Sequence, residues 1–186
     1  MKILCIGDSN TYGYDPRSYL GDRYPAEVRW TDRLDKCEVI NCGVNGMTVP
    51  REQSRYISLI RINEPDLIIV MIGTNDLFRG LSAGQIAARM ERFLDPIIDM
   101  GKPVLLISPP VLQYGEWVLD DDLVEESENL GEAYRDIADR KDCMFADSGE
   151  WGIEMTFDGV HFSPEGHAVF AQKLEEILNG LNESEN

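Results

Sequence analysis

The sequence predicts an α/β fold in which helices cover both faces of a five-stranded parallel sheet, and three observations predict it. Five short runs rich in apolar and β-branched residues recur along the 186-residue chain, at 2–6, 38–41, 67–72, 103–108 and 143–146. The third and fourth are apolar at nearly every position, as in strands covered on both faces. Helical patterns alternate with the strands, at 30–36, 51–62, 82–100, 123–140 and 163–179.

Taken in order, the first strand stops at Gly7-Asp8-Ser9, where a turn into a helix would fix a hydroxyl at the rim of the sheet. The second strand runs into Asn41-Cys42-Gly43-Val44-Asn45-Gly46, whose glycines let backbone approach a ligand closely. Gly73-Thr74-Asn75-Asp76 follows the third strand. Ser82 can cap the next helix, and Pro96 inside that pattern predicts a kink or a break. Ser108-Pro109-Pro110 ends the fourth strand and would stiffen that wall. Ser163-Pro164 places a cap before a proline at the first position of the last helix, and Gly180 can close it. Together these elements read as one three-layer α/β/α domain of flavodoxin-like type over 1–186, with 181–186 a polar tail.

Composition narrows the function. With 34 acidic against 17 basic residues the formal net charge is −17, which opposes nucleic acid and anionic membrane surfaces. Seven acids and no base fall between Glu116 and Glu128, and they read as a solvated helix start. No apolar run approaches the ~18 residues of a membrane span, so the expected setting is cytoplasmic. The four cysteines, Cys5, Cys37, Cys42 and Cys143, have no metal-finger spacing and are expected to be reduced.

A nucleophile at Ser9 needs a base, and the chain has two histidines, His161 and His167. Asp158-Gly159-Val160-His161 puts a carboxylate three residues before His161, close enough on a tight turn to hold the imidazole and stabilise its cation. His167 lies in Glu165-Gly166-His167-Ala168, a turn into the last helix, where packing is its expected role. Ser9, Gly43 and Asn75 each follow the C-terminal end of a different strand, the edge where open parallel sheets bind ligands. Backbone N–H groups there, with the Asn75 amide, would meet an oxyanion. Asn10, Tyr12, Trp30, Ser108 and Pro109 are expected to contact substrate. Two or three of Tyr12, Tyr14, Trp30, Phe78, Tyr114, Trp117 and Phe162 should line a pocket suited to short acyl groups.

With these residues in place, the chain resembles the SGNH (GDSL-type) hydrolases over nearly its whole length. Gly7-Asp8-Ser9-Asn10 resembles the first block of that family, Gly43 the second, Gly73-Thr74-Asn75-Asp76 the third and Asp158-Gly159-Val160-His161 the fifth. Asn10 stands where the name-giving motif has leucine. The resemblance implies Ser9 as nucleophile, His161 as base and Asp158 as its partner, with an oxyanion hole from Ser9 N–H, Gly43 N–H and the Asn75 amide. Longer strings, among them Arg29-Trp30-Thr31 and Ile107-Ser108-Pro109-Pro110, resemble the arylesterase and perhydrolase branch. That likeness implies a small ester as substrate and a homo-oligomer, and an acyl-enzyme hydrolase of this kind is expected to need no cofactor or metal.

Two readings compete. In a flavodoxin-like module, Asn10-Thr11-Tyr12-Gly13 would cradle a phosphate or nucleotide without hydrolysis. In metal-dependent phosphate chemistry, Asp8, Asp76 and Asp158 would act together.

Overall fold

A computed structural model of the chain describes residues 1–18 and 20–184, with side chains as far as Leu181. Five parallel strands, β1 (Lys2–Gly7), β2 (Glu38–Asn41), β3 (Leu67–Met71), β4 (Val104–Ser108) and β5 (Met144–Asp147), lie in the order β2-β1-β3-β4-β5. The order reverses beside β1: the chain leaves it for β2 on one side and returns to β3 on the other. The crevice left at that reversal, outside the carboxyl ends of β1 and β3, is where α/β sheets bind ligands.

The pleat sends alternate residues to two cores. Leu4, Ile6, Ile68, Val70 and Leu106 face α2 (Ser54–Asn63), α4 (Ala83–Ile98) and α5 (Asp121–Lys141), where Ile60, Phe93, Ile97 and Tyr134 pack. Ile3, Cys5, Ile69, Leu105 and Ile107 face α6 (Pro164–Ser184) and Trp30, meeting Phe170 and Leu174. Every residue of β3 and β4 is buried, which accounts for their unbroken apolar character. Two four-residue helices, α1 (Ser9–Tyr12) and α3 (Thr74–Leu77), follow β1 and β3 directly.

The helix ends follow local chemistry. Ser82 and Gln85 form a capping box, and Ser163 Oγ accepts the Gly166 N–H at 3.0 Å. The acidic run supplies the Asp120 cap of α5 and its first-turn residues Asp121 and Asp122. Three expectations are corrected. The 30–36 pattern yields only a 3-10 turn at Trp30–Asp32. Pro96 does not break α4; it lies in the last turn, and the Arg92 carbonyl it leaves without an intrahelical donor accepts the Gln53 side-chain N–H at 3.3 Å. Gly180 does not close α6, which continues to Ser184, and 185–186 lie outside the described residues. No helix among the described residues is long and apolar enough to cross a membrane.

Candidate active site

Asp8 caps α1 by accepting the Asn10 N–H at 3.0 Å, so the chain turns sharply out of the sheet and presents Ser9 at its carboxyl edge. His161 Nε2 lies 3.0 Å from Ser9 Oγ, across 152 residues of sequence. His161 Nδ1 lies 2.6 Å from Asp158 Oδ2. The other Asp158 oxygen accepts Thr156 Oγ1–H, Val160 N–H and His161 N–H at 2.9, 2.8 and 3.0 Å. Burial alone would raise this carboxyl, yet the bonds from His161 and Val160 outweigh it and hold the pKa at about 2. Asp158 is therefore an anion wherever His161 can work, and it fixes the proton of neutral imidazole on Nδ1, leaving Nε2 free to accept from Ser9.

The departure at Asn10 has a structural reason. Its side chain donates to Val160 C=O and accepts from Phe162 N–H, both at 3.0 Å, so one amide staples the nucleophile turn to the histidine loop. Leucine could make neither bond. Asn10 is buried and its side chain is turned to the histidine loop, away from the cavity lining. Trp30 is buried as well and donates Nε1–H to Asn10 C=O at 2.9 Å. Ser108 is spent on Asp147 at 2.7 Å, Pro109 is buried behind it, and the Tyr12 ring lies 4.6 Å from the Arg23 guanidinium. These five form the frame of the site and do not line its cavity.

The cavity, about 460 Å³, opens over Ser9 and His161. Its aromatic wall is Tyr14, Phe78 and Trp117, completed by Asn45, Gly46, Asn75 and Val160. The rings of Tyr14 and Trp117 stand 4.7 and 5.3 Å from the imidazole, centroid to centroid.

Gly43 is not in that wall. Its N–H donates to Asn41 Oδ1 at 2.9 Å, while Asn41 Nδ2 donates to Thr11 C=O and Thr31 Oγ1. A Cβ on Gly43 would fall 2.3 Å from the Tyr12 backbone nitrogen, so this glycine serves close packing of the second loop on α1. Three residues on, Gly46 faces the cavity at φ +71°, and among the described residues its N–H has no protein acceptor. The Asn-Gly pair at 45–46 was the available signal, since Gly tolerates the left-handed backbone of this turn. Asn75 lines the cavity with one amide hydrogen held by Met47 C=O at 3.0 Å. The second hydrogen remains for a ligand.

Two neighbouring carboxyls are buried. Burial pushes Asp8 up to about 6, against the Asn10 N–H and the charge of His161. Asp76 accepts Val49 N–H at 2.8 Å and pairs with Arg89 at 3.1 Å. Among the described residues no three His, Cys, Asp or Glu side chains are grouped as metal ligands. His167 Nδ1 accepts the Trp30 N–H at 3.4 Å, and burial followed by repulsion from Arg33 and Arg29 lowers its pKa to about 3.

The model of the GDSL-like Lipase/Acylhydrolase family matches residues 5–169. The chain belongs to that family. Similar proteins run nearly its full length. An arylesterase from Vibrio mimicus is 25% identical over 95% of this chain and 88% of its own. A carbohydrate acetylesterase family member from Sinorhizobium meliloti superimposes with a TM-score of 0.82 at 29% identity, covering 95% and 96% of the two chains. An aryl esterase from M. smegmatis, in its inhibitor-bound form, gives 0.83 at 26% identity, covering 97% and 99%. The chain is a serine esterase of this SGNH-type family, and the phosphate- or nucleotide-binding alternative is not supported.

Proposed function

We propose that this GDSL-family chain hydrolyses small acyl esters, acetyl esters of aryl alcohols or sugars foremost, through an acyl-enzyme on Ser9. The observation that carries the reading is the chain of contacts from Ser9 Oγ through His161 to buried Asp158, at 3.0 and 2.6 Å. Ser9 Oγ attacks the acyl carbon while His161 Nε2 takes its proton, and Asp158 stabilises the resulting imidazolium. The acyl oxygen becomes an oxyanion facing Ser9 N–H, which heads α1 and has no intrahelical acceptor, together with Gly46 N–H and the free Asn75 N–H. His161 returns the proton to the departing alcohol, and water then attacks the acyl-enzyme by the same route.

The substrate class rests on the cavity. Tyr14, Phe78 and Trp117 present apolar faces to an aromatic or pyranose ring, and the similar arylesterase and carbohydrate acetylesterase act on esters of those two kinds. We read the chain as one hydrolase domain and as a homo-oligomer in the cytoplasm. Phe78 and Trp117, 40% and 52% exposed at the cavity, are the apolar surface that supports association.

The test is labelling with a fluorophosphonate followed by peptide mapping. The expected adduct is on Ser9 and is lost in His161→Ala. A folded protein that takes no label and leaves p-nitrophenyl acetate intact sinks the reading. Faster turnover of decanoyl than of acetyl esters removes the short-acyl part alone.

A further inference from the structure

The connection from β4 to α5 lies directly on the loop that carries Asp158 and His161. Three consecutive carbonyls of that loop are each met by an amide from 113–117. Gln113 N–H donates to Gly159 C=O at 3.0 Å, Glu116 N–H to Phe157 C=O at 2.9 Å, and Trp117 N–H to Asp158 C=O at 3.2 Å. A fourth bond, from Gln113 Nε2 to Ile153 C=O at 2.9 Å, reaches the approach to the same loop. The segment is itself anchored, because Leu112 and Val118 are buried in the core at either end, 2% and 0% exposed.

The contact is backbone on backbone and needs glycine on both sides. A Cβ on Gly115 would fall 2.5 Å from Asp158 C and Gly159 N, both main-chain atoms that cannot rotate away. A Cβ on Gly159, which sits at φ +79°, would collide with the Gln113 carbonyl oxygen. The segment also touches the base through a side chain: the Trp117 indole meets the His161 ring edge to face at 5.3 Å between centroids.

We infer that Gln113–Val118 is a positioning brace for the Asp158–His161 loop, with Gly115 its point of closest approach and Trp117 the side chain that steadies the imidazole. None of its residues exchanges a proton with substrate. The brace acts by holding His161 within reach of Ser9, and misplacement of a reacting group by about 1 Å can cost on the order of 10²-fold in rate. In its kinetic part the inference rests on the proposed role of His161.

The experiment compares Gly115→Ala, Trp117→Ala and Trp117→Phe with the unaltered chain, using p-nitrophenyl acetate kinetics, thermal unfolding and proton NMR of the histidine rings. Because Trp117 is half exposed, its removal leaves the fold standing even where Gly115→Ala does not. Trp117→Ala is expected to lower kcat about tenfold, beyond any rise in KM from its place in the cavity wall, and Trp117→Phe to recover most of the kcat loss. The downfield proton of the His161 Nδ1–H bond to Asp158 should broaden or shift in Gly115→Ala and Trp117→Ala, with His167 as the unmoved reference. A rise in KM with kcat unchanged would show that Trp117 acts only through its place in the cavity wall and would overturn the inference. So would an unchanged Nδ1 proton in both variants, and that spectrum judges the brace independently of catalysis. Full activity in Ser9→Ala, by contrast, would overturn the proposed function and not the brace.

Discussion

The Gly43 N–H donates to the Asn41 side-chain oxygen at 2.9 Å, so within the second loop this amide is already engaged. Gly46 of the same loop lines the cavity. Asn75→Ala should lower kcat by about 10²–10³ if its free amide hydrogen is the oxyanion donor proposed above. Asn41→Ala should chiefly lower stability, by about 1–3 kcal/mol, since it leaves Thr11 C=O and Gly43 N–H without a partner. Steady-state kinetics and thermal melts on both variants check this. An Asn41→Ala rate loss as large as that of Asn75→Ala would return Gly43 to the oxyanion hole.

Ser9, His161 and Asp158 should behave as one unit. Ser9→Ala and His161→Ala are each expected to remove nearly all covalent catalysis, and the double variant to be no worse than either alone. Asp158→Asn should cost no more than these, on the order of 10⁴ or less in kcat. Additive losses in the double variant would show that the two side chains act separately.

Asp8 is raised to about 6 by burial, so in the folded state its carboxyl holds a proton that the unfolded chain releases near 3.8. Between those values rising pH favours the unfolded state, and above 6 the whole penalty is present. Asp8→Asn keeps an acceptor for the Asn10 N–H and carries no charge. It should be more stable than the parent at pH 8, by of order 1–3 kcal/mol, and not at pH 4. Thermal unfolding at the two pH values reads this directly, and an equal offset at both would contradict it.

His167 runs in the opposite sense. Its folded pKa of about 3 lies below the 6.5 of a free imidazole, so it is buried neutral and the unfolded chain takes up a proton first as pH falls. Its contribution to stability is complete above 6.5 and is lost as pH drops through that window to about 3. His167→Gln should therefore shrink the fall in Tm between pH 7 and pH 4. Differential scanning calorimetry at constant ionic strength checks it, and an undiminished fall would place the acid sensitivity elsewhere.

Phe78 is 40% exposed on the cavity wall and makes none of the contacts that hold the triad. Phe78→Ala should raise KM for phenyl acetate several-fold, about 1 kcal/mol of lost ring contact, with kcat nearly unchanged. A loss confined to kcat would instead tie Phe78 to the reacting geometry.

Much of the molecule was legible in the sequence because it is written locally. The runs at 67–72 and 103–108 are apolar throughout because their strands are covered on both faces. Asp158 and His161 stand three apart on a tight turn, so their meeting needed no knowledge of distant chain. The carboxyl edge of the sheet then brought Ser9 and Asn75 to the same place.

What the tertiary structure alone decided are contacts between segments far apart in the chain. Trp30 and Asn10 looked like substrate contacts, but the indole donates to Asn10 C=O and the amide bonds Val160 and Phe162, 150 and 152 residues away. Gly43 and Gly46 stand in one turn-forming loop, and only the hydrogen bond from Gly43 to Asn41 shows which of them is committed. Pro96 keeps its helix because Gln53, on another element, takes the carbonyl it frees. Periodicity and turn chemistry report which backbone states and which faces a segment prefers; the remaining hydrogen-bond capacity of a buried polar group is settled by whichever distant segment packs against it.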